Sequence, residues 1–208
     1  MASATDILTK TMNAAGESAS LGEDASGICS LVDTAVVKTP TMDFDKLAGD
    51  AKLAQKDYWE NYEDVNGSLR AGKTPDIFTG SIIERLDGAF IRAPRLNGNL
   101  TVFRGLDSRK MSLAVGDTLT DLGFVSTTQE RNIAELYAKE QLFRDLPASK
   151  HRASMQTILE IELHGGVSYL PGAVDHAEIL LNRGSTFKVI RKIKDAKGRN
   201  VVTMELVR

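Results

Sequence analysis

The sequence predicts an α+β fold, with helices ahead of a mixed or antiparallel sheet, on three observations. Apolar residues recur at helical spacing in the first half, as Phe44, Leu47 and Ala51 and again as Ile82, Ile83, Leu86 and Phe90. After Asn97-Gly98 the pattern changes to short, partly alternating apolar runs separated by Gly-containing turns. Helices gather early and strands late, which argues against repeated βαβ units. A chain of 208 residues fits one compact domain with an N-terminal appendage and can bury a sizeable core.

Residues 1–42 are rich in Ala, Ser, Thr and Gly and carry few large apolar side chains. Such a segment has little surface to bury, so it is expected to be weakly structured and mobile at its start. A short helix near Ile28–Val37 is the local exception, and Pro40 and Thr41 close the segment. The domain proper is expected to span 43–208. Asp43 suits an N-cap for a helix running through Tyr58, Trp59 and Tyr62, because its carboxylate can accept from the first free backbone N–H groups. Gly67, Gly72 and Pro75 break this region, and a second helix over Phe78–Phe90 ends before Pro94.

Leu100–Phe103 reads as the first strand, followed by Asp117–Leu122 and Phe124–Ser126. A helix from Asn132 to about Phe143 comes next. Thr157–Leu163 alternates as a half-buried strand should and is ended by Gly165-Gly166. Glu178–Leu181, Thr186–Ile193 and Val201–Val207 complete the set, the last two flanking a hairpin loop over Asp195–Asn200.

Composition is that of an ordinary soluble globular chain, 42% hydrophobic and 26% charged with a net charge of −2. That balance gives no global pull toward nucleic acid or anionic lipid. The single Cys29 leaves no internal disulfide and no multi-cysteine metal site. His151, His164 and His176 lack a zinc-like spacing, so no metal is expected. No apolar run approaches the roughly 18 residues that span a bilayer. The first 30 residues lack the basic start and apolar core of a secretory signal. Action in a reducing cytoplasm, as a monomer away from membranes, is the expectation.

One motif matches by letters alone. Gly67–Thr74 fits G-x4-G-K-[ST], the phosphate-binding loop of many nucleotide hydrolases. That loop needs a buried strand before it and a helix starting at the lysine, so that its N–H groups face the phosphates. Here polar, helix-like residues precede it and Pro75 follows. The expected identity is a helix end and a Gly-containing loop.

Three short runs place one polar residue each where a strand would stay apolar or end. They are Thr101–Gly105 with Arg104, Gly123–Thr128 with Ser126, and Ala177–Leu181 with Glu178. Arg offers a planar two-pronged grip for phosphate, and Gly105 beside it allows close approach to the backbone. Ser can orient a carboxylate, and Glu can grip a ribose. Converging on one cleft, the three would suit cleavage of a charged sugar nucleotide. Taken singly, each has a plainer reading. Arg104 is then a surface charge, Thr127 and Thr128 a strand end leading to a helix cap, and Glu178 a solvated strand start.

In this order, the runs resemble the Arg–Ser–Glu class of mono-ADP-ribosyltransferases. Tyr62, Asn66, Leu69 and Arg70 look like that family's helical lead-in, and Leu86–Arg104 looks like its approach to the first strand. Gln156–Leu170 and the closing hairpin also fit in order, so the resemblance covers roughly 43–208. It implies two roughly perpendicular small sheets forming an NAD cleft, with helices packed at the side. It implies that Arg104 binds the NAD phosphates, that Gly105 lets the nicotinamide end approach, and that Ser126 holds Glu178. Glu178 would then bind the ribose and stabilise the cation that develops as nicotinamide leaves. Thr127 and Thr128 would line the same NAD site, and Phe124 would pack either on nicotinamide or in the core.

One departure stands out. Where many members have Glu or Gln two residues before the catalytic Glu, this chain has His176. Strand alternation would turn His176 to the same side as Glu178, facing the acceptor. The implied activity is transfer of ADP-ribose from NAD to a macromolecule, a protein ahead of RNA or DNA, by a toxin or effector. An N-terminus of this composition would suit injection into another cell by a phage particle or a secretion machine. Hydrolysis of NAD by water is the alternative, and a phosphate-loop nucleotide hydrolase the outsider.

Overall fold

In a computed structural model, residues 49–110, 112–172 and 177–207 are described, all within the unit Lys38–Arg208. The helix expected near Ile28–Val37 and the Asp43 cap lie outside the described residues. The first helix, α1, is described over Gly49–Arg70 and α2 over Ile77–Ile91. Asp76 caps α2, its carboxylate accepting from the N–H groups of Phe78 and Thr79. Within α1, Asn61 leaves helical geometry (φ −127°, ψ 21°), and its side-chain amide donates to the Asp57 carbonyl at 2.8 Å. A side chain occupying the i−4 acceptor is a sufficient cause for the kink.

The Gly67–Thr74 segment is the end of α1. Lys73 N–H donates to Ser68 and Gly72 N–H to Leu69, with Gly72 at φ +61°. This is the glycine-terminated helix end in which the last N–H groups turn back on the helix. They face their own carbonyls, not a phosphate.

Eight strands follow: β1 Leu100–Asp107, β2 Thr118–Asp121, β3 Val125–Thr128, β4 Gln156–Leu163, β5 Tyr169–Pro171, β6 Glu178–Leu181, β7 Ser185–Lys194 and β8 Asn200–Leu206. Helix α3, Arg131–Asp145, lies between β3 and β4. The hydrogen-bonded order is β2-β7-β8-β4-β1-β3-β6-β5, antiparallel except for the β4–β8 pair. Where two separate sheets were expected, one eight-stranded sheet is observed, with a five-stranded part (β2-β7-β8-β4-β1) and a three-stranded part (β3-β6-β5). They are continuous through one registered pair, Phe103 with Thr128, at the β1–β3 joint.

Core residues show how the parts meet. Val125, Ile179 and Leu181 of the three-stranded part share a buried cluster with Val102, Leu159 and Met204 of the five-stranded part. On the opposite face of β3 and β6, Phe124 and Leu180 pack with Tyr58, Ile82, Leu86 and Phe90 of α1 and α2. Helix α3 packs against Phe103 and Ile158. The buried Arg199 then ties α3 to the β7–β8 hairpin through Glu135 and Asp195, both held below the ordinary carboxylate range. For Glu135 the cause is the Arg199 hydrogen bond. For Asp195 burial pushes upward but is outweighed by the Arg199 side chain and two backbone N–H groups. Among the described residues, no helix is long and apolar enough to cross a membrane.

Gly105 and Gly88 make opposite predictions. A Cβ on Gly105 would meet backbone atoms of Ala134 and Ala138 in α3, whereas nothing lies within 4 Å of one on Gly88 in α2. Gly105→Ala should destabilise by about 3 kcal/mol, since backbone must move. Gly88→Ala should stabilise by about 0.5–1 kcal/mol, as Ala does for Gly in a helix. Denaturant unfolding of both variants checks this, and a neutral Gly105→Ala would contradict the packing of α3 on β1.

Candidate active site

Arg104 lies on β1 between Val102 and Leu106, on the face turned toward the three-stranded part. Its guanidinium donates to the backbone carbonyl of Ser126 at 3.1 Å. Burial pushes the Arg104 pKa down; Asp121 opposes this and Arg70 adds to it, while Tyr58 and Glu178 pull it back up. Among the described residues it has no ion-pair partner, and Asp121 is held by Arg70 in a two-pronged pair at 2.7 and 2.9 Å. The result is a desolvated cation with acids nearby but none in contact. An anion arriving there would recover part of the cost of burial.

Glu178 opens β6, opposite Thr128, and Ser126 is opposite Leu180. Residues opposite one another share a face, as do residues two apart along a strand. Ser126 and Glu178 are therefore diagonal neighbours on one face. Before Glu178 the chain turns sharply: Ala177 has φ +44°, and its carbonyl accepts from Gln129 N–H at 3.0 Å. The Glu178 side chain lies across Gly172, where a Cβ would overlap its Cβ, Cδ and Oε2. Gly172 N–H donates to the Glu178 carbonyl at 2.8 Å. Turn and glycine together set where the carboxylate sits.

The Ser126 hydroxyl has a partner not foreseen in the sequence. It lies 3.3 Å from the Tyr58 phenol, which accepts from the Asn66 side-chain amide at 2.9 Å. The Asn66 carbonyl oxygen in turn accepts from Phe124 N–H at 2.8 Å. Tyr58 is 1% exposed, and burial raises its pKa against the pull of Ser126, Asn66 and Arg104. The available signal was a run of polar residues, Gln55, Tyr58 and Asn66, on the buried face of α1. Both amide atoms of Gln55 are buried without a partner among the described residues.

The remaining expected site residues divide clearly. Arg104, Ser126 and Glu178 come together at the joint. Phe124 is fully buried, stacked on Phe90 at 5.8 Å and edge-on to Tyr58 at 5.7 Å, so of its two expected placements the core is the one observed. Thr127 is buried and its hydroxyl donates to the Ile179 carbonyl at 2.6 Å, pinning β3 to β6. The Thr128 hydroxyl accepts from Glu130 N–H at the entrance to α3, as the plainer reading had it. Gly105 is required by α3 (above), which accounts for the glycine without a ligand. His176 lies outside the described residues. The alternation argued for it does not reach that position, because β6 begins at Glu178 and Ala177 is not extended.

Comparisons with known proteins bear on the family and the fold. The family model for the ADP-ribosyltransferase exoenzyme matches residues 44–207. Among solved structures, the Clostridium limosum C3 exoenzyme is 19% identical, over 78% of this chain and 87% of its own, with a TM-score of 0.59. The Vis toxin, an ADP-ribosyltransferase from Vibrio splendidus, is 21% identical over 79% and 76%, also at 0.59. Exoenzyme S from Pseudomonas aeruginosa is 19% identical over 76% and 73%, at 0.57. At these identities the likeness is one of fold. No curated protein matches the sequence.

The buried phenol gives a prediction in alkali. Folding holds the Tyr58 proton to a higher pH than the unfolded chain does, where tyrosines ionise near 10. The contribution is full below that value and is lost as pH rises through the folded pKa. Wild-type stability should fall above pH ~10 more steeply than that of Tyr58→Phe. Denaturant titrations at a series of alkaline pH values measure this, and equal slopes would contradict the placement of Tyr58.

Proposed function

This chain belongs to the ADP-ribosyltransferase exoenzyme family, and from that premise we propose that Arg104, Ser126 and Glu178 cleave NAD and pass its ADP-ribose to a protein. The enzyme is an NAD-dependent mono-ADP-ribosyltransferase. The observation that carries the residue assignment is Arg104, a half-buried cation at the sheet joint with no ion-pair partner among the described residues. A pyrophosphate is the part of NAD whose charge and geometry suit a guanidinium. The carba-NAD bound to the Exoenzyme S neighbour supports the same substrate.

With its phosphates on Arg104, NAD would present the nicotinamide-bearing ribose to Glu178. As the bond between C1′ and the nicotinamide nitrogen breaks, the bonding pair leaves with nicotinamide and positive charge grows on the ribose. Glu178, fixed by Gly172 and the turn at Ala177, lowers the energy of that charge where it appears. Because the carboxylate is already in place, little reorganisation opposes it. Ser126 keeps the carboxylate oriented. A nucleophilic side chain of the acceptor protein then bonds to C1′ and loses its proton. The bacterial ADP-ribosyltransferase neighbours support a toxin or effector acting inside another cell.

Adenine-labelled NAD tests the proposal. Incubated with a cell lysate, the wild-type protein should attach label to material that protease digests and nuclease does not. Label recovered only as free ADP-ribose would replace transfer with hydrolysis. Glu178→Gln should lower turnover by roughly 10²–10³ while remaining folded. Arg104→Lys should mainly raise the KM for NAD, since one ammonium cannot reproduce the fork. Gly172→Ala should lower turnover by displacing the carboxylate, although it touches no substrate. A folded Glu178→Gln protein with wild-type turnover would overturn the assignment.

A further inference from the structure

Four groups in series run from the backbone of the β2–β3 turn to the Ser126 hydroxyl, and their hydrogen-bonding capacities leave one direction open. Phe124 N–H can only donate, so the Asn66 atom that meets it at 2.8 Å is the carbonyl oxygen. This sets the amide orientation, and the other end of Asn66, the NH2, must donate to the Tyr58 oxygen at 2.9 Å. The Tyr58 proton then has to find its own acceptor. The Ser126 oxygen, 3.3 Å away, is the acceptor within reach. Leaving a buried O–H without one would cost the full desolvation of that group.

A serine oxygen that accepts from Tyr58 points its own proton elsewhere. The Ser126 carbonyl is already occupied by Arg104, and the neighbouring group on the same face is Glu178. We propose that Tyr58 is a positioning residue that, held by Asn66, orders the Ser126 hydroxyl so that its proton is directed at the Glu178 carboxylate. The kink at Asn61 falls between Tyr58 and Asn66, whose side chains meet across it. Helix α1 thereby acts on the reaction through Ser126, without meeting the substrate at Tyr58, which is almost fully buried. The inference rests on the assignment of Ser126 and Glu178 made above.

Nicotinamide release by wild type, Tyr58→Phe, Ser126→Ala and the double variant is the test. Phenylalanine keeps the ring packing on Phe124 and deletes only the hydroxyl. Tyr58→Phe should lower kcat about tenfold with KM for NAD little changed. In the Ser126→Ala background the same substitution should cost nothing further, because its route of action is gone. Asn66→Asp supplies the converse. An aspartate cannot donate, so it draws the Tyr58 proton to itself and reverses the series. It should lower kcat as Tyr58→Phe does although the phenol is kept. Wild-type kcat in Tyr58→Phe, or equal losses in both backgrounds, would overturn the proposal.

A readout without catalysis separates this from the parent assignment. The buried Tyr58 hydroxyl proton, followed by NMR, should shift when Ser126→Ala removes its acceptor. An unshifted resonance overturns the relay whatever the assays give. Full turnover in Glu178→Gln beside a shifted resonance would instead overturn the catalytic assignment and leave the hydrogen-bond series standing.

Discussion

The hydrogen bond from Arg104 to the Ser126 carbonyl sits where the sheet nearly comes apart. The ladder between β1 and β3 contains one registered pair, Phe103 with Thr128, against eight in the β1–β4 ladder beside it. A carbonyl facing that gap has lost its strand partner and still needs a donor. Arg104 supplies it at 3.1 Å and keeps further N–H groups for another acceptor. The structural role and the proposed chemical one therefore fall on one side chain. The shortness of that ladder is what leaves a carbonyl for an arginine to satisfy.

Other elements set the position of this joint. Helix α3 presses on β1 through Gly105, and α1 is clamped to the β2–β3 turn by Asn66 on Phe124 and by Arg70 on Asp121. The clamp engages Asp121, an acid whose charge favours the protonated Arg104, in an ion pair with Arg70. Glu178 is located by backbone features, the turn at Ala177 and the bare Cα of Gly172. Both sides of the joint are thus fixed without help from a ligand.

Much of this was legible in the sequence because periodicity reports burial. The helix expected over Asn132–Phe143 is observed over Arg131–Asp145, and Thr157–Leu163 over Gln156–Leu163. Tyr169–Pro171 escaped notice as a strand because three residues carry no period. That Arg104, Ser126 and Glu178 meet was legible through their order along the chain. The neighbours were not. Phe124, Thr127 and Thr128 belong to the same short runs, yet alternation and capping turn them to the core, to β6 and to α3. Tyr58 looked like one apolar position in a helix, since its hydroxyl gains meaning only from a serine 68 positions on. Ala177 is left-handed, a break in alternation just ahead of β6 that no period in the sequence announces, and His176 lies outside the described residues.

The central claim is that the β1–β3 joint is the NAD site. A crystal structure of the Glu178→Gln protein with a non-cleavable NAD analogue tests it most directly. The pyrophosphate is expected within hydrogen-bonding distance of the Arg104 guanidinium and the nicotinamide ribose beside residue 178. An analogue bound elsewhere, with Arg104 still facing only the Ser126 carbonyl, would contradict it.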